Sequence, residues 1–295
     1  MEPTVHSVFE SQTGTWQYVV ACPESKAAAI IDPVLDLDLG QLRITTSSAD
    51  QLLDVVTKHG YTVVRLLETH AHADHLTAAA YLQRRLLQSQ GSKVPICTGH
   101  DIRKVQATFG PRYRVPQAEL DNAFDHLFQD DEVFNIGNLK AAVLHLPGHT
   151  PDHSGYQIGS NVFAGDSIFN PDVGSARCDF PCGDASVLYQ SMQRLLSLPA
   201  HYKLYTGHDY PPADSGREPM PCVTVAEQLE RNKHVKEGTK KDDFINWRRD
   251  RDSGLKEPRL LHPALQVNIR GGHIPPSLDD SKGRTFLMMP ISLSY

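Results

Sequence analysis

Four times along this chain an apolar run ends in a histidine or an aspartate, and that recurrence limits the folds open to it. Residues 61–67 lead into Thr69-His70-Ala71-His72-Ala73-Asp74-His75. Residues 141–146 lead into Pro147-Gly148-His149-Thr150, 161–164 into Gly165-Asp166, and 202–205 into Thr206-Gly207-His208-Asp209. Strand ends on a rigid sheet are where loops can place side chains accurately. Imidazole and carboxylate are ligand types that suit zinc and iron. The three imidazoles and one carboxylate between His70 and His75 would each need a separate partner if they were packing residues. The cluster therefore reads as a metal site, completed by His149, Asp166 and His208.

At 295 residues, 40% hydrophobic and 22% charged, the chain has the make-up of a globular enzyme with a sizeable core. A net charge of −6 excludes the basic footprint of a nucleic-acid binder. An anionic substrate would have to be held by local arginines. The five cysteines, an odd number without a secretory signal, imply reduced thiols inside a cell. Cys178 and Cys182 read as two small, unreactive thiols. Residues 1–12 contain acidic residues and no arginine, which disfavours targeting, and no run approaches the ~18 apolar residues of a membrane span. A cytoplasmic protein with neither membrane nor nucleic-acid partner is expected.

A hairpin is predicted from 16–21 and 27–31, broken by Asp32-Pro33. Ser47 or Ser48 is the expected cap of a helix carrying Leu52, Leu53, Val55 and Val56. After the strand at 61–67 a helix is expected from Asp74 to about Gln88, with Asp74 able to cap it. A strand at 94–97 precedes a helix at 99–107. Strands follow at 132–136, 139–146, 154–158 and 161–164. A helix at 185–198 and a strand at 202–205 come next, then helices at 224–235 and 242–251. Lys240-Lys241 and Arg248-Arg249 read as solvated faces, His6, His59, His126 and His234 as surface residues, and 211–221 as a surface excursion. No linker or repeat interrupts the chain. Residues 1–295 are therefore read as one layered α/β domain with a helical extension from about 222.

The run T-H-A-H-A-D-H, with the later P-G-H-T, G-D and G-H-D, resembles the metallo-β-lactamase superfamily. The resemblance implies an αββα sandwich: two mixed sheets face to face, helices outside, metal between the sheet edges. Residues 68–79, 172–181, Pro258-Arg259 and 265–270 are similar to the persulfide dioxygenase branch, in particular the bacterial form fused to rhodanese. The similarity spans about residues 4 to 290. Cys182 departs from a usual glycine, 36–48 looks like an insertion, and 109–128 looks divergent.

This resemblance implies one iron(II) on His70, His149 and Asp166, a ligand set that leaves positions open for oxygen and substrate. The implied reaction oxidises glutathione persulfide, or a related persulfide, with O2 to sulfite and thiol. Arg177 is implied on the substrate side, with an ion pair to Asp179 as its structural alternative, and Tyr210 is expected either at the pocket or in the core. His72, Asp74, His75 and His208 complete a dinuclear zinc site in two-metal relatives and stand behind the iron in the mononuclear branch. Asp74 and His75 are also the expected catalytic pair, and His153 is a candidate support for the ligands. The competing expectation is a zinc hydrolase, with one or two Zn(2+) per chain, acting on a thioester, lactone or lactam. Neither expectation fixes the assembly, and a homodimer stays open.

Overall fold

The computed structural model describes residues 1–276 and 283–291. Residues 277–282 and 292–295, which the one-domain reading includes, lie outside the described residues, as does the part of the resemblance crossing 277–282.

The chain opens with β1 (Thr4–Glu10), β2 (Thr15–Ala21) and β3 (Ala27–Ile31), paired antiparallel in that order. The hairpin of β2 and β3 is as predicted, whereas β1 is too polar to be read as a strand. The expected insertion folds as a second hairpin, β4 (Val34–Asp38) and β5 (Arg43–Thr45). Asp36 at its base accepts the Ser48 backbone N–H at 3.0 Å and the Ser48 hydroxyl at 2.6 Å. The cap of α1 (Ser47–His59) is thus a carboxylate from the hairpin and not Ser47 or Ser48.

Next, β6 (Thr62–Leu67) lies parallel to β3. Beyond its metal-type loop, β7 (Leu76–Thr77) pairs with β4, so α2 (Ala79–Gln90) starts at Ala79 and not at Asp74. Thr77 Oγ1 accepts the Ala79 N–H at 3.0 Å, which takes the capping role expected of Asp74. β8 (Ile96–Gly99) continues the parallel set beside β6 and takes up Gly99, the first residue of the expected helix, and α3 (Ile102–Arg112) starts three residues later than expected. A short α4 (Gln117–Asp121) and β9 (His126–Phe128) close the first sheet, ordered β1-β2-β3-β6-β8-β9.

The second sheet begins as an antiparallel meander of β10 (Val133–Ile136), β11 (Leu139–His145), β12 (Ser154–Ile158) and β13 (Asn161–Gly165). A crossover through α5 (Ala185–Leu196) returns the chain to β14 (Lys203–Thr206), parallel to β13. β15 (Cys222–Thr224) adds an antiparallel edge strand, so the stretch from 222 opens as sheet and not as helix. α6 (Val225–Arg231) follows with a Thr224/Glu227 capping box, then α7 (Lys241–Ser253) and α8 (Leu261–Asn268).

Strand alternation sorts the core into layers. Tyr18, Val20, Ala29 and Ile31 face the second sheet, packing with Tyr156, Phe163 and their neighbours. Val19, Ala28 and Ile30, one residue out of phase, face away and pack under Leu52, Leu82 and Val267 of the helices. On the other side Leu144, Val162 and Leu204 are covered by Leu188, Met192 and Phe244. The sheet is covered on both faces, so all seven residues of β2 are buried; its two polar side chains, Thr15 and Gln17, are buried with the rest, and Gln17 Oε1 accepts the Val34 N–H at 2.8 Å. The result is the expected αββα layering. Among the described residues no helix is long and apolar enough to cross a membrane.

Candidate metal centre

The ends of β6, β11, β13 and β14 meet at one rim of the two sheets, and each delivers the ligand-type residue that follows it. His70, His149 and Asp166 form one group, and His72, Asp74, His75 and His208 a second; within each group one ligand atom per residue lies within 4.8 Å of all the others. Asp166 Oδ2 stands 4.0 Å from His70 Nε2, 3.6 Å from His149 Nε2 and 3.6 Å from His208 Nε2, which joins the groups. His208 Nε2 is also 3.1 Å from Asp74 Oδ2. Every metal-type residue read from the sequence is therefore brought to one place.

The free valences face inward. His70 Nε2, His72 Nδ1, His75 Nε2, His208 Nε2, Asp74 Oδ2 and Asp166 Oδ1 are buried, and none has a hydrogen-bond partner among the described residues. An orphaned buried polar atom costs about 1–3 kcal/mol, so six in one cluster fit a site built to be closed by a cation. The donor set, imidazole nitrogen with carboxylate oxygen, suits iron or zinc.

The opposite edges of the imidazoles are held. His149 Nδ1 donates to the Arg177 carbonyl at 2.6 Å. His70 Nδ1 donates to Thr69 Oγ1 at 2.9 Å, and that hydroxyl donates to Asp32 at 2.9 Å. These bonds leave Nε2 as the lone-pair nitrogen. His72 presents its other nitrogen because its Nε2 lies 3.2 Å from Asp32 and 3.6 Å from Glu68. Burial opposes charge on His72, but Asp32 and Glu68 outweigh it and raise its pKa. Burial raises Glu68 as well. Burial, then the neighbouring histidines, pushes His70 down. Asp74 is lowered despite burial, chiefly by His208 and His75. His153, the candidate support, accepts the Asp166 backbone N–H through Nε2 at 2.9 Å and donates from Nδ1 to Ser167 Oγ at 3.2 Å.

Asp32 and Asn268 were missed by sequence reasoning. Asp32 ends the apolar run 27–31 as the other site residues end theirs, so the same signal is present, although Asp32-Pro33 also reads as a strand breaker. Asn268 has no local signal. It lies at the end of α8, donates to the carbonyls of His72 and His75 at 2.7 and 2.8 Å, and accepts the Thr77 N–H at 2.8 Å.

Asp74, His149 and Asp166 line a cavity of about 500 Å³. Tyr210 lines it too and is 48% exposed, stacked on His208 at 5.6 Å, so it takes the pocket position and not the core one. Arg177 also lines the cavity, but its guanidinium is taken: it donates to both Asp179 oxygens and to the Lys256 carbonyl. The other cations are Lys233, Arg248, Arg251 and Arg259. Arg248, expected on a solvated face, is 4% exposed, pairs with Asp252 and keeps its Nε without a partner. His234, expected on the surface, lines the cavity against Trp247, their rings 3.7 Å apart. Burial, Lys233 and Arg248 push it down to about 3, so it is neutral near pH 7. Of the two noted thiols, Cys178 is buried, which raises its pKa, and Cys182 is exposed.

A converging imidazole–carboxylate rim on an αββα sandwich agrees with what comparison finds. The sequence profile of the metallo-beta-lactamase superfamily matches residues 12–208. The chain belongs to the metallo-β-lactamase superfamily. Members of this superfamily are metal-dependent enzymes, and the profile ends at the last of the ligand-type residues, His208. The chain is 42% identical over 291 residues to a beta-lactamase hydrolase-like protein of Xylella fastidiosa, covering 98% of this chain but 65% of that protein. It is 41% identical to glyoxylase B2 of Dictyostelium discoideum, covering 96% of this chain and 95% of that one. It is 26% identical to the mitochondrial persulfide dioxygenase ETHE1 of Mus musculus, over 92% and 91% of the two chains. The crystal structure of ETHE1 from Myxococcus xanthus superposes with a TM-score of 0.70 at 28% identity, covering 92% of this chain and all of that one. The last two likenesses bear out the resemblance to the persulfide dioxygenase branch.

Proposed function

We propose that this protein is a non-haem iron(II) dioxygenase of persulfides, with glutathione persulfide as the leading substrate. The balance is RSSH + O2 + H2O giving RSH, sulfite and two protons. The observation that carries this reading is the triad of two histidines and one carboxylate, His70, His149 and Asp166, beside the cavity. Likeness to ETHE1 proteins over most of the chain supports it. When bound, iron(II) supplies redox chemistry with dioxygen, which zinc lacks.

The chain's own residues bind and orient the substrate. Asp74 lines the cavity and, kept anionic by its neighbours His208 and His75, is assigned with His75 to orienting the bound persulfide. Lys233, Arg251 and Arg259 make no ion pair among the described residues and are free to hold carboxylates of an anionic thiol. This transfers to them the role expected of Arg177. Tyr210 and Phe169 shield one wall from water. The test is metal analysis joined to an oxygen electrode. About one iron per chain and O2 uptake with glutathione persulfide are expected; full activity with zinc alone overturns the proposal.

A second reading, a zinc hydrolase of a thioester, lactone or lactam, is favoured by one observation: the second group, His72, Asp74, His75 and His208, is also complete. It requires oxygen-independent turnover with zinc loaded, and an inert protein across a thioester and lactone panel removes it.

A further inference from the structure

We infer that Glu10 at the end of β1, Thr13 in the turn and Thr15 at the start of β2 are positioning residues that set the tautomers of His75 and His208 through a relay of hydroxyl groups. Thr15 is fully buried, and its Oγ1 lies 3.3 Å from His208 Nδ1 and 3.5 Å from His75 Nδ1. It also contacts Thr13 Oγ1 at 2.7 Å, and Thr13 donates to Glu10 Oε2 at 2.5 Å. Glu10 is 7% exposed, and its carboxylate accepts the backbone N–H groups of Gln12 at 2.6 Å and Thr13 at 2.9 Å.

Counting hydrogens gives the relay one direction. A carboxylate only accepts, so the single hydroxyl hydrogen of Thr13 goes to Glu10. Thr15 must then give its own hydrogen to Thr13. Its remaining lone pairs can only accept, and the groups facing them are the Nδ1 atoms of the two imidazoles. Both rings are thereby held with hydrogen on Nδ1 and a lone pair on Nε2, and both Nε2 atoms are among the buried atoms without partners. For His75 the bond is shared, since Asp74 Oδ1 lies 3.6 Å from the same nitrogen. For His208, Thr15 is the only Nδ1 partner among the described residues.

The turn is fastened to the His208 loop independently of the side chains. Trp16 N–H donates to the Gly207 carbonyl at 2.8 Å, and Asp209 N–H to the Gly14 carbonyl at 3.0 Å. Gly14 has φ of +71°, and a Cβ there would meet Tyr210 Cε1 at 2.7 Å, so the turn needs glycine at this position. The first sheet thus reaches across the rim to orient a ligand-type residue carried by the second.

The inference rests on the metal-centre reading but not on which metal is bound. The test uses the full chain stripped with a chelator, nitrogen-15 labelled at histidine, with Thr15→Val and Thr15→Ser as variants. In the wild type both His75 and His208 should carry hydrogen on Nδ1. Thr15→Val should abolish that pattern at His208 and weaken zinc binding, read by chelator competition, about 10- to 100-fold. Thr15→Ser should restore both, and unchanged circular dichroism excludes misfolding as the cause. A Thr15→Val protein that keeps the Nδ1–H signal and wild-type zinc affinity overturns the inference. A wild type that binds no zinc or iron overturns the metal-centre reading instead, and the tautomer signals still decide this one.

Discussion

Arg177 and Arg251 face the same cavity but are free to do different work. Arg177 spends its donors on Asp179 and the Lys256 carbonyl, and its side chain is 24% exposed. An ion pair this close to solvent contributes about 1 kcal/mol or less. Arg251 and Arg259 have no such partner among the described residues. Replacing both with alanine should raise KM for an anionic persulfide about tenfold or more and leave kcat nearly unchanged, the signature of lost uniform binding. Arg177→Ala should change KM by less than about twofold, since its guanidinium is already engaged. Steady-state kinetics at two salt concentrations checks both, because contacts to exposed cations weaken as salt screens them.

Among the elements, α8 governs the metal-type loop from nearly two hundred residues away in the chain. One side chain, Asn268, satisfies two loop carbonyls and one N–H. Gly272, just beyond α8, approaches so closely that a Cβ would stand 2.9 Å from the Ala80 nitrogen. Asn268→Leu leaves three buried backbone groups without partners, at about 1–3 kcal/mol each. Urea unfolding should show a loss of about 3 kcal/mol or more, and metal affinity should fall with it. Asn268→Asp keeps the acceptor for Thr77 but not the donors, so it should remain impaired.

For the whole molecule, the two sheets meet at a rim of like-natured groups that oppose closure without a cation. Six buried donor atoms lack partners there, and Asp74 lies against Asp166 through the shared His208. A bound metal stabilises the folded state by mass action, about 2.7 kcal/mol at a free concentration of about 100 times Kd. Stripping the metal should therefore lower the melting temperature by several degrees, and returning iron(II) or zinc should restore it in a concentration-dependent way. Differential scanning calorimetry reads this directly, and a melting temperature indifferent to metal would contradict the centre as drawn.

Much of this molecule was legible in the residues alone. Apolar runs ending in His70, His149, Asp166 and His208 determined which side chains meet, because strands buried on both faces are largely apolar and carry their ligand-type residues where they end. The same logic made most strands and both large helical layers readable. Tertiary structure decided the rest. The start of α2 followed from β4 capturing Leu76 and Thr77, a pairing between segments far apart in sequence. The burial of Arg248, the engagement of Arg177, and the reach of Asn268 and Thr15 to the site leave no local pattern. Periodicity reports which face of an element is apolar, but the partner of a polar group depends on which distant segment the packed layers bring beside it.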